Sequence, residues 1–138
     1  MKRSILAFVA GLVTWFLVAT VINRILRAGF PGYTLAEPAM AFTLGMKIAR
    51  LTMAVLASLA AGAVTAWIAP SRTRLPWILG AVILAPFLPL HVMIWAKFPA
   101  WYHLFFLGTL VPLVALGAAL TRKREDGSSL QTQARHAG

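Results

Sequence analysis

The residues best equipped for chemistry lie in one short stretch, His91-x-x-x-Trp95-x-Lys97-Phe98-Pro99-x-Trp101-Tyr102-His103. Two imidazoles on either side of a proline-containing turn can meet across it, and such pairs ligate haem iron, copper or zinc, or pass protons. Metal sites generally need three or four ligands, and this chain has no cysteine and no acid near the stretch to complete a set. The residue types therefore favour an interfacial role, because Trp, Tyr and His join an apolar body to a polar tip and settle where a bilayer meets water. Trp95, four positions after His91, is expected on the same helical face. His91 itself is expected about one turn inside the apolar layer, donating to a carbonyl freed by a helix kink, such as that of Ala85, or to a hydroxyl on another helix. Proton movement or ligand contact is the functional alternative, since ionisable groups inside a membrane are costly to keep there.

The second chemical feature is charge. Glu37 is the sole acid before the C-terminal tail, and Arg24, Arg27, Lys47, Arg50 and Lys97 are expected at the same end of the molecule. An ion pair of Glu37 with Arg50 or Arg24 would orient the first connection against the helices, and Lys47 and Arg50 share a face by their spacing of three. Such a group has one functional form, a basic vestibule admitting an anion, a carboxylate or a lipid headgroup. It also has a bland form, long basic stems snorkelling around one salt bridge, which is the favoured one. His91, His103, Trp95, Glu37 and Arg50 are thus the candidate ligand or ion contacts, with no catalytic residue, metal-ligand set or cofactor site assigned. No acid falls within an apolar run, so a small proton-coupled exporter would lack its central carboxylate. No serine–histidine–acid set, HExxH, phosphate loop or dinucleotide fingerprint occurs, and Ser58 reads as a packing residue.

The elements that must position these residues follow from composition. Hydrophobic residues make up 60% of the 138, charged residues only 12%, and mean hydropathy is +0.81, which is membrane-protein rather than soluble-domain composition. At roughly 20 residues per crossing, about four crossings fit. The pattern predicts an all-α, integral membrane four-helix bundle with helices over about 4–26, 39–69, 77–95 and 100–120, and a disordered cytoplasmic tail over 121–138. The first run follows Lys2 and Arg3 but is too long for a signal-peptide core and lacks a cleavage motif. Gly29, Pro31 and Gly32 break it. Thr34-Leu-Ala-Glu37 fits a capping box that restarts a helix, and Gly45 is a plausible bend within the long second element. Ala54, Ser58 and Gly62 make the second crossing rich in small residues and give it a contact surface for helix partners. Pro86, Pro89 and Pro112 are expected to kink the last two crossings. Short turns imply that crossings two, three and four are antiparallel neighbours.

The net charge of +10 would point to nucleic acid in a soluble protein, but the basic residues sit in small groups flanking apolar runs, so no nucleic-acid partner is expected. Eight of them (Lys2, Arg3, Arg72, Arg74, Arg122, Lys123, Arg124 and Arg135) fall on the side of the termini and five on the other, which favours both ends in the cytoplasm. The His-x3-Trp-x2-Phe-Pro-x-Trp-Tyr-His pattern, with Pro31, Tyr33-Thr34 and Arg50-Leu51, resembles an uncharacterised family of small bacterial membrane proteins. The resemblance spans crossings two to four and implies a multi-pass protein of the bacterial inner membrane, with no activity, cofactor or site residue attached. The function expected is that of a non-enzymatic packing or accessory subunit, partnered by the lipid bilayer and by a homo-oligomer or a larger membrane complex. The alternatives are a small oligomeric carrier or channel with a kinked polar pathway near His91, and a metal- or haem-binding subunit using His91 and His103.

Overall fold

The computed structural model describes residues 1–136, and every regular element among them is helical. The chain runs α1 (Lys2–Gly29), α2 (Tyr33–Ala39), α3 (Leu44–Ile68), α4 (Leu75–Met93) and α5 (Ala100–His136), with one 3-10 turn at Trp95–Lys97. α1, α3, α4 and the Ala100–Ser129 part of α5 are long and apolar enough to cross a membrane. α5 runs past Leu120 to His136, so the segment expected as a disordered tail is helical as far as it is described, and residues 137–138 lie outside the described residues.

The first connection is tighter than the sequence pattern implies. Gly32 sits at φ +77° ahead of α2, a left-handed conformation open to glycine at little cost. Met40 adopts φ 55° and ends α2. The expected continuous helix over 39–69 therefore begins only at Leu44, with Gly45 in its first turn rather than at a bend. Thr43 is its cap, accepting from the Met46 amide at 3.3 Å. The Thr34–Glu37 capping box does not form, because α2 begins at Tyr33 with Gly32 as its N-cap, which places Thr34 inside the helix.

α3 packs extensively between α1 and α5, and α4 rests mainly on α5, with only sparse contact to α1 and to α3. α3 and α4, though joined by a short turn, touch only sparsely, so they are not the close neighbours that loop length implied. The reason is the small-residue side of α3. A Cβ on Gly62 would overlap the Val114 carbonyl, one on Gly117 would overlap the Leu59 carbonyl, and one on Gly11 would collide with Thr65. Only α1 and α5 come this near to α3, and dispersion between closely apposed backbones rewards the approach. The surface of Ala54, Ser58 and Gly62 is consumed inside the bundle and is not open to a partner.

Toward the end opposite the N-terminus, the far end, small residues give way to rings: Tyr33, Phe42, Phe98, Tyr102 and Phe106 are buried together. At the near end, Arg3 bonds the carbonyl of Ile68, and Arg122 bonds those of Pro70 at 2.9 Å and Arg72 at 3.2 Å. Arg3 thus satisfies a carbonyl in the last turn of α3, and Arg122 ties the turn between α3 and α4 to α5. Trp67 and Trp77 stand exposed near this end, and Trp95 and Trp101 near the other.

The glycine contacts predict a graded response. Gly62→Ala and Gly117→Ala should each lower the thermal midpoint in detergent by an amount corresponding to roughly 1–3 kcal/mol of overpacking. Gly108→Ala, where an added methyl meets nothing within 4 Å, should leave the midpoint unchanged or slightly raised.

Candidate functional site

The far end carries a continuous polar cluster assembled from all five helices. It begins at the surface, where Arg27 of α1 pairs with Glu37 of α2 at 2.7 Å. Asn23, one turn before Arg27 and so on the same face, donates to the other Glu37 oxygen at 3.3 Å. Tyr33 donates its hydroxyl proton to Asn23 Oδ1 at 3.0 Å and accepts from Arg50 Nη1 at 2.8 Å. The Arg50 guanidinium lies 4.6 Å above the Phe42 ring and also faces the Tyr102 hydroxyl, while its Nε is buried without a hydrogen-bond partner. Tyr102 stacks on Phe98 at 4.6 Å and lies parallel to His91 at 6.2 Å.

The cluster ends on the histidine pair. His91 Nδ1 and His103 Nδ1 are 2.8 Å apart, with the rings nearly perpendicular and both side chains buried. His103 Nε2 lies 3.3 Å from the Trp95 carbonyl. A carbonyl only accepts, so this nitrogen carries the proton, and the bonding pattern assigns the rest. With both rings neutral, His103 Nδ1 accepts from His91 Nδ1–H, and His91 Nε2 keeps a lone pair. Phe106 covers His91 at 4.7 Å and Trp95 covers His103 at 4.5 Å.

Two expectations about these residues are corrected. His91 bonds His103 rather than the Ala85 carbonyl or a hydroxyl. Trp95 does not share a helical face with His91, since α4 ends at Met93 and Trp95 belongs to the 3-10 turn, where its ring stacks on the other imidazole. A third correction concerns Glu37, whose partners are Arg27 and Asn23 rather than Arg50 or Arg24. Arg50 makes no direct bond to the carboxylate and is joined to it by hydrogen bonds through Tyr33 and Asn23. Sequence reasoning missed Asn23, Tyr33 and Tyr102 as members. The available signal was the spacing of Asn23 and Arg27, two polar residues four apart at the end of an apolar helix.

Chemically, the cluster is a hydrogen-bonded series from Glu37 to Arg50, with a separate imidazole pair that meets it only through the ring contact of His91 with Tyr102. No group of three or more His, Cys, Asp or Glu side chains suited to a metal ion occurs among the described residues. Comparison with protein-family models, with curated proteins and with solved structures finds no match. The functional case rests on these residues.

Glu37 is the member whose titration is open to measurement. Burial by itself would raise its pKa, but the hydrogen bonds from Arg27 and Asn23 and the charges of Arg27 and Arg50 outweigh burial and hold it below the ordinary carboxylate range. A folded-state pKa that is depressed contributes stability above the unfolded value, about 4.3, and loses it as pH falls through the folded value. The midpoint gap between wild type and Glu37→Gln should thus be full at pH 7 and close below about pH 4. Its size should be about 1 kcal/mol or less, since the Arg27 side chain is 40% exposed. A gap that persisted unchanged to pH 3 would show that the carboxylate's charge does not hold α2 in place.

Proposed function

We propose that this chain is an integral protein of the bacterial inner membrane, crossing four times with both ends in the cytoplasm, and that it acts as a non-enzymatic packing or accessory subunit. Large apolar side chains stand exposed along all four long helices, for example Leu17 at 61% and Leu104 at 67%. In water that surface would be a severe liability, whereas lipid covers it at no cost. α4, with Trp77 in its first turn and Trp95 just beyond its end, has 19 residues, about 28 Å of helix, close to the roughly 30 Å of a hydrocarbon core. The eight-to-five distribution of basic residues supports the orientation.

One observation carries the functional part. The two groups best suited to act on a ligand, His91 and His103, are turned toward each other and walled in by rings. With the small-residue face of α3 also spent on internal contacts, what remains for recognition is the outer surface. The lipid bilayer is its first partner, and a second copy of the chain or a larger membrane complex is the next.

The absence of cysteine from the sequence makes the test clean. Single-cysteine variants at Ser71, in the near-end turn, and at Lys97, in the far-end turn, report topology through a membrane-impermeant maleimide. Lys97→Cys should label in intact spheroplasts, and Ser71→Cys only after permeabilisation. A photocrosslinker on Leu17→Cys should trap a protein adduct of defined mass, and products containing lipid alone would overturn the accessory reading.

A second reading, the carrier with a pathway near His91, draws on the free lone pair of His91 Nε2 together with the Nδ1–Nδ1 contact, an arrangement that can take up a proton at one ring and release it from the other. His91→Phe separates the two. Under the accessory reading it costs stability alone, about 1–3 kcal/mol from the unpaired His103 nitrogen, and leaves crosslinking intact. Under the carrier reading it abolishes proton flux in liposomes that the wild type supports.

A further inference from the structure

Between α1 and α4, on the far half of the bundle, lies an outward-facing groove of about 340 Å³. The two helices meet closely at the near end, where Gly11 abuts Leu79. At the level of Phe87 they leave a gap that exposes Met53 of α3 as part of its floor. The groove has two chemical zones. Trp15, Phe16, Ala19, Met53 and Phe87 make its inner part apolar, and Asn23, Arg24 and Arg27 form a polar rim at the far end. Asn23 and Arg27 are fixed by their bonds to Glu37. Arg24 is exposed and has no ion-pair partner among the described residues.

We propose that this groove binds an anionic phospholipid, one acyl chain lying against Trp15 and Phe87 and the phosphate resting on Arg24 and Arg27. The size is at the low end of ligand sites, suited to a single chain rather than to a bulky solute. The amphiphilic division of the walls follows the division of a lipid, with the cations at the bundle end where a headgroup sits. Charge complementarity selects the anionic class: five basic residues gather at this end against one carboxylate, and that carboxylate is already engaged by Arg27. A basic residue near the headgroup region favours an acidic lipid by roughly fivefold. Trp15, hydrogen-bonded to Ser58 at 3.1 Å and nearly buried, gives the inner zone a fixed wall.

The proposal rests on the membrane-embedded reading, and the test separates the two. The full chain is reconstituted in vesicles of phosphatidylcholine brominated at mid-chain, and the fluorescence difference between wild type and Trp15→Phe isolates the Trp15 signal. Adding unbrominated phosphatidylglycerol should relieve Trp15 quenching about fivefold more effectively than adding unbrominated phosphatidylcholine. Arg24→Gln should bring that ratio close to one, Arg24→Lys should keep most of it, and Lys97→Gln, a cation outside the groove, should leave it intact. Ala19→Phe, which fills the floor, should lower quenching by either lipid. Equal relief by the two lipids in the wild type, or an unchanged ratio in Arg24→Gln, would overturn the proposal. Relief by inorganic phosphate alone would also overturn it, because it would reveal an ion site. If no tryptophan is quenched by brominated lipid, the membrane-embedded reading fails instead.

Discussion

A polar group held inside an apolar bundle has to find its partner within the bundle, and most of this structure is arranged around that constraint. Leaving such a group unbonded costs several kcal/mol when lipid rather than water is outside. The threonines meet the requirement locally: Thr14, Thr52, Thr65, Thr109 and Thr121 each donate to the carbonyl one turn earlier in their own helix. Trp15 and Ser58 meet it across two helices. The larger polar groups have no local solution, so Arg50, Tyr33, Asn23 and Glu37 are joined in series, and the two histidines are joined to each other. α2, only seven residues long, is held on the bundle because it supplies Tyr33 and Glu37 to that series.

The two halves of the bundle are built on different packing rules, and the division has consequences for shape. At the near half, glycine and alanine on α3 bring the α1 and α5 backbones within contact. At the far half, aromatic rings and the Arg50 side chain occupy the interior and set a wider spacing. A helix such as α4, packed against Gly11 through Leu79 at one end and against rings at the other, cannot follow α1 along its whole length. The groove beside Phe87 is where the two spacings diverge. Pro86 and Pro89 lie at this level and release the carbonyls of Val82 and Ala85, which makes the helix easier to bend there.

Composition and apolar run length made the four long helices legible, because a span of nearly uninterrupted apolar residues has few other stable forms. The pairing of those helices was not legible. Loop length argued that α3 and α4 should be neighbours, but the partner of a helix is chosen by which face permits close approach, and Gly62 and Gly117 make that choice from opposite ends of the sequence. The Thr34–Glu37 capping box failed because α2 starts earlier than its pattern needs, at the left-handed Gly32, and Glu37 then meets Arg27 and Asn23, which local sequence does not place beside it. That His91 and His103 can approach across the turn was legible from their separation of twelve positions with a proline between, but that they bond each other rather than a freed carbonyl was not. The end of α5 was not, because the polar residues after Leu120 carry no apolar stripe to announce a helix.

The far end has one unusual electrostatic property that follows from the count of acids. Between residue 38 and residue 124 the chain has no carboxylate at all, so Arg50, set among Tyr33, Phe42 and Tyr102, has to be stabilised without a counter-ion. Phenolic oxygens accept its hydrogen bonds and the face of Phe42 offers a negative quadrupole. Both lower the energy of the guanidinium but neither cancels its charge. Glu37 is the one residue able to do so, and its carboxylate is committed to Arg27 at the outer edge of the cluster. The positive potential of Arg50, Arg24 and their lysine neighbours is thus left to act on whatever surrounds the bundle. In a bilayer, the anion that can approach that region without leaving its own environment is the phosphate of a lipid.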